Sequence, residues 1–188
     1  MSIVEFINSL VSPNNVEEAA PNNAVELLKH DHRVVETLFS KFEDSEGAAD
    51  KRKLIKTIID ELTVHAKVEE KVVYPVLDKV EHEMAGEAIQ EHHVVKFLLR
   101  ELKNTTRITD EIEAKVKVLK EIVQHHVQEE EGEMLPQLEK SNADLNKMAE
   151  DIKAMKKQLK ARAKSNKKVR STKTSSVRGR KKPTRKAS

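Results

Sequence analysis

The stretch His65-Ala66-Lys67-Val68-Glu69-Glu70-Lys71-Val72-Val73-Tyr74-Pro75 and its counterpart His126-Val127-Gln128-Glu129-Glu130-Glu131-Gly132-Glu133-Met134-Leu135-Pro136 decide how this chain folds. Each places a Glu four residues after a His and a Pro ten residues after it. On an α-helix, residues four apart lie one turn apart on the same face, so imidazole and carboxylate point in one direction as half of a metal site. A second repetition precedes each stretch: His32-Arg33-Val34-Val35-Glu36-Thr37-Leu38-Phe39 reads like His92-His93-Val94-Val95-Lys96-Phe97-Leu98-Leu99. The copies are offset by 60 residues here and by 61 in the first pair, which predicts two copies of one helix hairpin. Four helices then gather four His and two Glu around one axis.

Composition supports an all-helical protein. Of 188 residues only 4 are Gly and 5 Pro, and aromatics make up 3%. The absence of cysteine excludes disulfides, thiolate metal sites and thiol catalysis. No apolar run approaches the roughly 18 residues that span a bilayer. Of the 35 Lys and Arg, 15 lie between Lys156 and Ser188, where there is no acidic residue; the preceding 155 residues keep 20 against all 32 Asp and Glu, a net of −12. An acidic body thus carries a basic tail.

Residues 1–22 form an apolar segment and linker. Ile3, Val4, Phe6, Ile7, Leu10 and Val11 suggest a short helix packed on the bundle, with a membrane or partner anchor as the alternative. Neither a cationic start nor a small-residue cleavage site marks a secretory signal, and a cytoplasmic location is expected. The bundle with its extra helix is expected over residues 23–160. Helix A starts after Asn23 and carries Leu28, His32, Val35, Phe39 and Phe42 on one seam, with His30 off it. Helix B carries Leu54, Ile58, Leu62, His65, Glu69, Val72 and Val76, and Pro75 should kink or end it. Helix C runs from about Met84 to Lys103 with Ala88, His92, Val95, Leu99 and Leu102 inward. Helix D starts at Thr109 or Asp110, where Asp110 and Glu113 have capping-box spacing. Its stripe is Ile112, Val116, Leu119, Val123, His126, Glu130 and Met134. His125 and Glu129 form a rival pair one position away, and the repeat decides for His126 and Glu130, because Pro136 answers Pro75. Asn142 is a candidate cap for a fifth helix bearing Leu145, Met148, Ile152, Met155 and Leu159, expected to strap the outside. Residues 161–188 are expected to be a disordered Lys/Arg-rich tail.

Two carboxylates and four imidazoles on apolar seams demand neutralisation, and a metal satisfies them better than a lone hydrogen-bonded network. An all-nitrogen and oxygen donor set suits octahedral iron or manganese more than closed tetrahedral zinc. Two Glu from opposite helices can each bridge, which favours a dinuclear centre with about two positions open to water, O2, peroxide or NO.

Asp31-His32 after Leu27-Leu28, His65-x3-Glu69-Glu70-x3-Tyr74-Pro75, Glu91-His92 and His126-x3-Glu130 ending in Leu135-Pro136 together resemble the hemerythrin-like, or HHE cation-binding, domain. The resemblance covers about residues 23–160. It implies an antiparallel up-down four-helix bundle around a non-haem di-iron centre, with His32, His65, His92 and His126 as terminal ligands and Glu69 and Glu130 as bridges. Oxygen-carrying hemerythrins have a second His four residues from the helix C ligand, whereas this chain has Ala88 and Lys96 at that spacing. Glu61 and Glu91 are the nearest spare carboxylates, and Tyr74 is the sole tyrosine; these three are the candidates for a supporting shell.

Three functions fit these features. One is a di-iron protein that binds or responds to O2, peroxide, NO or iron level. A second is association with nucleic acid through the basic tail, without sequence readout. The third is a peroxidase- or catalase-like enzyme; no nucleophile motif or phosphate loop is present, and whether the centre is catalytic stays open.

Overall fold

The computed structural model describes residues 21–177, and the apolar segment before residue 21 lies outside them. Helix α1 (Ala24–Asp44) opens on Asn23, whose side chain accepts a hydrogen bond from the Glu26 amide at 3.0 Å. Helix α2 (Ala48–Val68) passes through a π-helical turn, Glu69–Val73, into the short α3 (Tyr74–Leu77). Helix α4 (His82–Leu102) follows, then α5 (Asp110–Glu129), a second π turn at Glu130–Met134 and α6 (Leu135–Lys140). Helix α7 (Leu145–Val177) completes the described chain. Cross-links at Asp31–His65, Glu91–His126 and Lys120–Glu43 show neighbouring runs lying antiparallel, as short connections require.

The repeated proline does not end its helix. In each copy the chain widens by one residue: the Tyr74 amide donates to the Glu69 carbonyl and the Leu135 amide to the Glu130 carbonyl, five residues back. That loosened turn makes room for the ring of Pro75 or Pro136, which would otherwise clash with the carbonyl one turn earlier, and the helix resumes. The extra residue moves the inward face. Val73 and Leu77 are buried in place of the expected Val72 and Val76, which lie only partly covered.

Two other expectations at helix starts are corrected. Helix α5 starts at Asp110, within the expected choice of Thr109 or Asp110, but its cap is Thr109, whose hydroxyl accepts from the Ile112 amide at 3.3 Å, and not the Asp110 of the expected box. Helix α7 is capped by Asp144, which accepts from the amides of Asn146 and Lys147, and not by Asn142. Asp144 is the better placed because it alone precedes the apolar stripe directly. Helix α7 also contributes to the core: Met148, Ala149 and Ile152 are buried against α1 and α2. It continues to Val177, through residues where disorder was expected. Once the packed stripe has nucleated the helix, adding each further residue costs far less than starting a helix anew.

Two apolar clusters fill the interior. Leu28, Val73, Tyr74, Leu77, Ala88, Leu135, Leu138 and Ile152 belong to one, and Val35, Phe39, Ile58, Leu62, Val95, Leu99, Leu119 and Val123 to the other. His32, His65, Glu69, His92, His126 and Glu130 form the buried polar layer between them. Every run changes cluster as it passes that layer: α1 goes from Leu28 to His32 to Val35, and α4 from Ala88 to His92 to Val95. The apolar packing on both sides therefore fixes the height of each polar side chain. No described helix is long and apolar enough to cross a membrane.

Candidate metal centre

The six expected residues meet in two overlapping groups. His32, His65, Glu69 and Glu130 bring one donor atom each within 4.8 Å of one another, and so do Glu69, His92 and His126. Glu69 belongs to both, reaching His65 Nε2 at 2.8 Å with one oxygen and His92 Nε2 at 3.3 Å with the other. Glu130 Oε2 lies 3.1 Å from His32 Nε2 and 3.9 Å from His126 Nε2, so it too faces both groups. His125 stays outside, 63% exposed, as the repeat predicted, and His30 is exposed.

The outer nitrogen of each imidazole is held by a carboxylate from the next run. Asp31 on α1 meets His65 Nδ1 at 3.3 Å, Glu70 in the first π turn meets His92 Nδ1 at 3.1 Å, Glu91 on α4 meets His126 Nδ1 at 2.6 Å, and Glu131 in the second π turn meets His32 Nδ1 at 2.7 Å. The four contacts close a ring around the bundle. Three of the carboxylates are backed by a permanent cation: Asp31 by Lys156 at 2.5 Å, Glu70 by Lys96, and Glu131 by Arg33. Such partners fix tautomer and ring orientation and strengthen the inner nitrogen as a donor.

This arrangement tests whether the residues fit a metal. With Nδ1–H donated outward, each Nε2 presents a lone pair inward, yet His32 Nε2 and His65 Nε2 stand only 3.1 Å apart. Both oxygens of Glu69 and both of Glu130 are buried without an aligned hydrogen bond; their neighbours are close but face a common centre and not each other. Converging lone pairs with four orphaned carboxylate oxygens are destabilising unless a cation lies among them. The donor set, four imidazoles and two carboxylates, fits a first-row transition metal.

With no cation in the cluster, protonated imidazoles take its place as the balancing charge. Burial pushes the Glu69 carboxyl up, but the His65 charge and the close imidazoles of His65 and His92 outweigh it and hold the group well below the carboxylate range. Burial pulls His65 down, yet Glu69 and Asp31 raise it well above its usual value, and His126 is likewise raised by Glu91 and Glu130 against its burial. Burial also opposes ionisation of Asp31, Glu70 and Glu131, whose His and Lys or Arg partners still keep all three low. Glu91 is held low by its bond to His126.

Of the expected supporting residues, Glu91 takes part through His126 and not through its chain neighbour His92. The Tyr74 hydroxyl is buried 3.2 Å from His92 Nε2 and 3.4 Å from His126 Nε2, so it is more than a packing residue. Burial and the nearby Glu69 and Glu130 charges push its pKa well up and keep it a neutral phenol. Glu61 is not brought into the cluster; its carboxylate holds Lys160 at 3.0 Å. Sequence reasoning gave no role to Asp31, Glu70 and Glu131. The signal was in the repeat, which places an acid directly before each of His32 and His92 and directly after each of Glu69 and Glu130.

A helical scaffold around a buried His/carboxylate cluster defines a metal-binding protein. The profile of the Hemerythrin HHE cation binding domain matches residues 23–138, and the chain belongs to that family. A crystal structure of a hemerythrin HHE cation binding domain-containing protein from Mycobacterium kansasii is similar at 26% identity, covering 75% of this chain and 89% of that one with a TM-score of 0.66. A protein named DNA nickase from Nostoc sp. (strain PCC 7120) is 27% identical over 143 residues, which is 74% of this chain. The match spans 41% of that relative's length.

Proposed function

We propose that the buried cluster is a dinuclear non-haem iron centre that binds or responds to a small oxidant or gas, O2, peroxide or NO. His32 and His65 would hold one ion and His92 and His126 the other, with Glu69 and Glu130 shared. The observation that carries this reading is the pair of buried carboxylates, each facing imidazoles of both groups, with all four oxygens unsatisfied. Bound iron would supply redox change and open coordination positions. The chain's own part is to orient the imidazoles through the acid ring, exclude bulk water, and keep the Tyr74 hydroxyl as a neutral donor at the His92–His126 side.

Ligand size follows from space. A cavity of about 20 Å³ touches all four His and is otherwise lined by apolar side chains, among them Leu62, Val95 and Val123. That is room for about one water-sized molecule, whereas organic substrates occupy pockets of roughly 300 Å³ or more. Metal analysis with an absorption spectrum of aerobically purified protein tests the reading. About two irons per chain with near-ultraviolet oxo-bridge bands are expected; one silent zinc per chain would refute it.

A second reading, association with nucleic acid, is favoured by the helical continuation of α7 into the Lys/Arg-rich segment and by the relative named DNA nickase. Binding would be weak, sequence-independent and steeply salt-dependent. Gel shifts at low and moderate salt, on the full chain and on a chain ending at Ala163, are expected to show retention for the full chain only. No shift for the full chain at low salt would remove this reading.

A further inference from the structure

The rival pair His125 and Glu129 is left unused by the buried centre. His125 Nε2 lies 3.2 Å from Glu129 Oε1 on its own helix and 3.7 Å from Glu91 Oε1 on α4. The donor atoms of all three residues fall within 4.8 Å of one another. Beside them a cavity of about 70 Å³ opens between α4 and the α5 run, lined by Glu87, Glu91, Glu129 and Glu133 with Met84 and Met134. Four carboxylates and no Lys or Arg line it.

The acid ring shows what is missing here. Asp31, Glu70 and Glu131 each have a Lys or Arg behind the carboxylate that holds a buried imidazole. The contacts of Glu91 among the described residues are instead with His126 on one oxygen and His125 on the other. The fourth position of the ring thus lacks a permanent cation and offers metal donors in its place.

We infer that Glu91, His125 and Glu129 form a second divalent-cation site, an outer station through which a first-row transition ion reaches the buried cluster. One imidazole with carboxylates selects such ions over calcium or magnesium, which prefer all-oxygen sites. Exposure leaves the remaining positions to water, so binding is weak and exchange fast. The surrounding carboxylates concentrate cations at the mouth of the cavity. Glu91 joins the two sites, since its oxygens face His125 outside and His126 inside. The loading role rests on the buried metal centre proposed above; the outer binding does not.

Co(II) titration of metal-free protein tests this, comparing wild type with the double variant His125→Ala, Glu129→Gln. Glu91 is left intact because it also orients His126. Wild type is expected to bind one weak equivalent beyond the tight ones, by equilibrium dialysis and visible absorption. The variant should lose the weak equivalent, keep the tight ones and fill them several-fold more slowly. Identical isotherms would overturn the proposal, and so would a variant that loses the weak equivalent yet fills the tight ones at the wild-type rate. If both proteins lack tight equivalents while the weak, variant-sensitive one persists, the reading of the buried centre fails and the outer site stands.

Discussion

Removing Glu131 isolates what the acid ring contributes. Its carboxylate accepts from His32 Nδ1 at 2.7 Å and pairs with Arg33, touching the cluster through His32 alone. Glu131→Ala frees the His32 ring to rotate and withdraws the charge that strengthens Nε2 as a donor. Loss of such an outer partner lowers metal affinity by about 10- to 100-fold, or roughly 1.4 to 2.8 kcal/mol. Glu131 is 25% exposed, so water can replace part of the lost acceptor and the change belongs near the tenfold end. Glu131→Gln keeps an acceptor in place and loses only charge, and its effect should be smaller. The Arg33 side chain is 54% exposed, so breaking that pair should barely alter the stability of the metal-free protein. Competition against a chromophoric chelator gives the affinities, and circular dichroism checks the fold. An Ala variant with wild-type affinity would refute the role of the ring, as would a Gln variant impaired as badly as His32→Ala.

Ligand register makes a sharper contrast: His126→Ala and His32→Ala should lose buried metal after dialysis, while His125→Ala and His30→Ala keep it, measured as metal per chain. An emptied centre in His125→Ala would place the α5 register one residue away. Metal-free protein should be most stable between about pH 4.5 and pH 6.5. Glu69, Glu70, Glu91 and Glu131 have lowered pKa values, so their contribution is complete above the ordinary carboxylate value and lost as pH falls through the lower folded values. His65 and His126 are raised, so theirs is complete below the ordinary imidazole value and lost as pH rises through the higher folded values. Thermal melts across pH check this, and a melting temperature that climbs steadily from about pH 6 to about pH 9 would contradict it. Phe39→Ala, at a side chain 1% exposed in the cluster beyond the site, should cost about 3–5 kcal/mol in denaturant unfolding.

The buried polar cluster was legible because two constraints coincide on its residues. Helical spacing puts His32, His65, His92 and His126 on buried seams, and the repeat chooses His126 over His125. The inward face after Glu69 was not legible, since a period of 3.6 continues to Val72 and Val76 while the π turn delivers Val73 and Leu77. Periodicity carries no mark of a local change in winding; the paired prolines hinted at one but did not say how the backbone would absorb it. The acid ring was hidden for another reason. Asp31, Glu70 and Glu131 act on imidazoles of neighbouring runs, and in a chain with 32 acidic residues a carboxylate that crosses between helices looks like any solvated one. The extent of α7 was misjudged because composition reports the scarcity of large apolar residues after Leu159 and not the helix nucleated ahead of them.

The widened turns amount to one surplus residue in each half of the molecule. A residue advances an α-helix by about 100°, so everything downstream of the surplus is rotated by that much relative to an unbroken helix. Deleting Lys71 or Gly132, both on the exposed side of their turns, would wind the helix back to regular pitch. The deletion would swing the Tyr74 phenol away from His92 and His126 in one half and Leu135 out of the core in the other. Because the surplus stands at the same distance from His and Pro in both halves, the simplest history has it already present in the ancestral hairpin when that hairpin was duplicated.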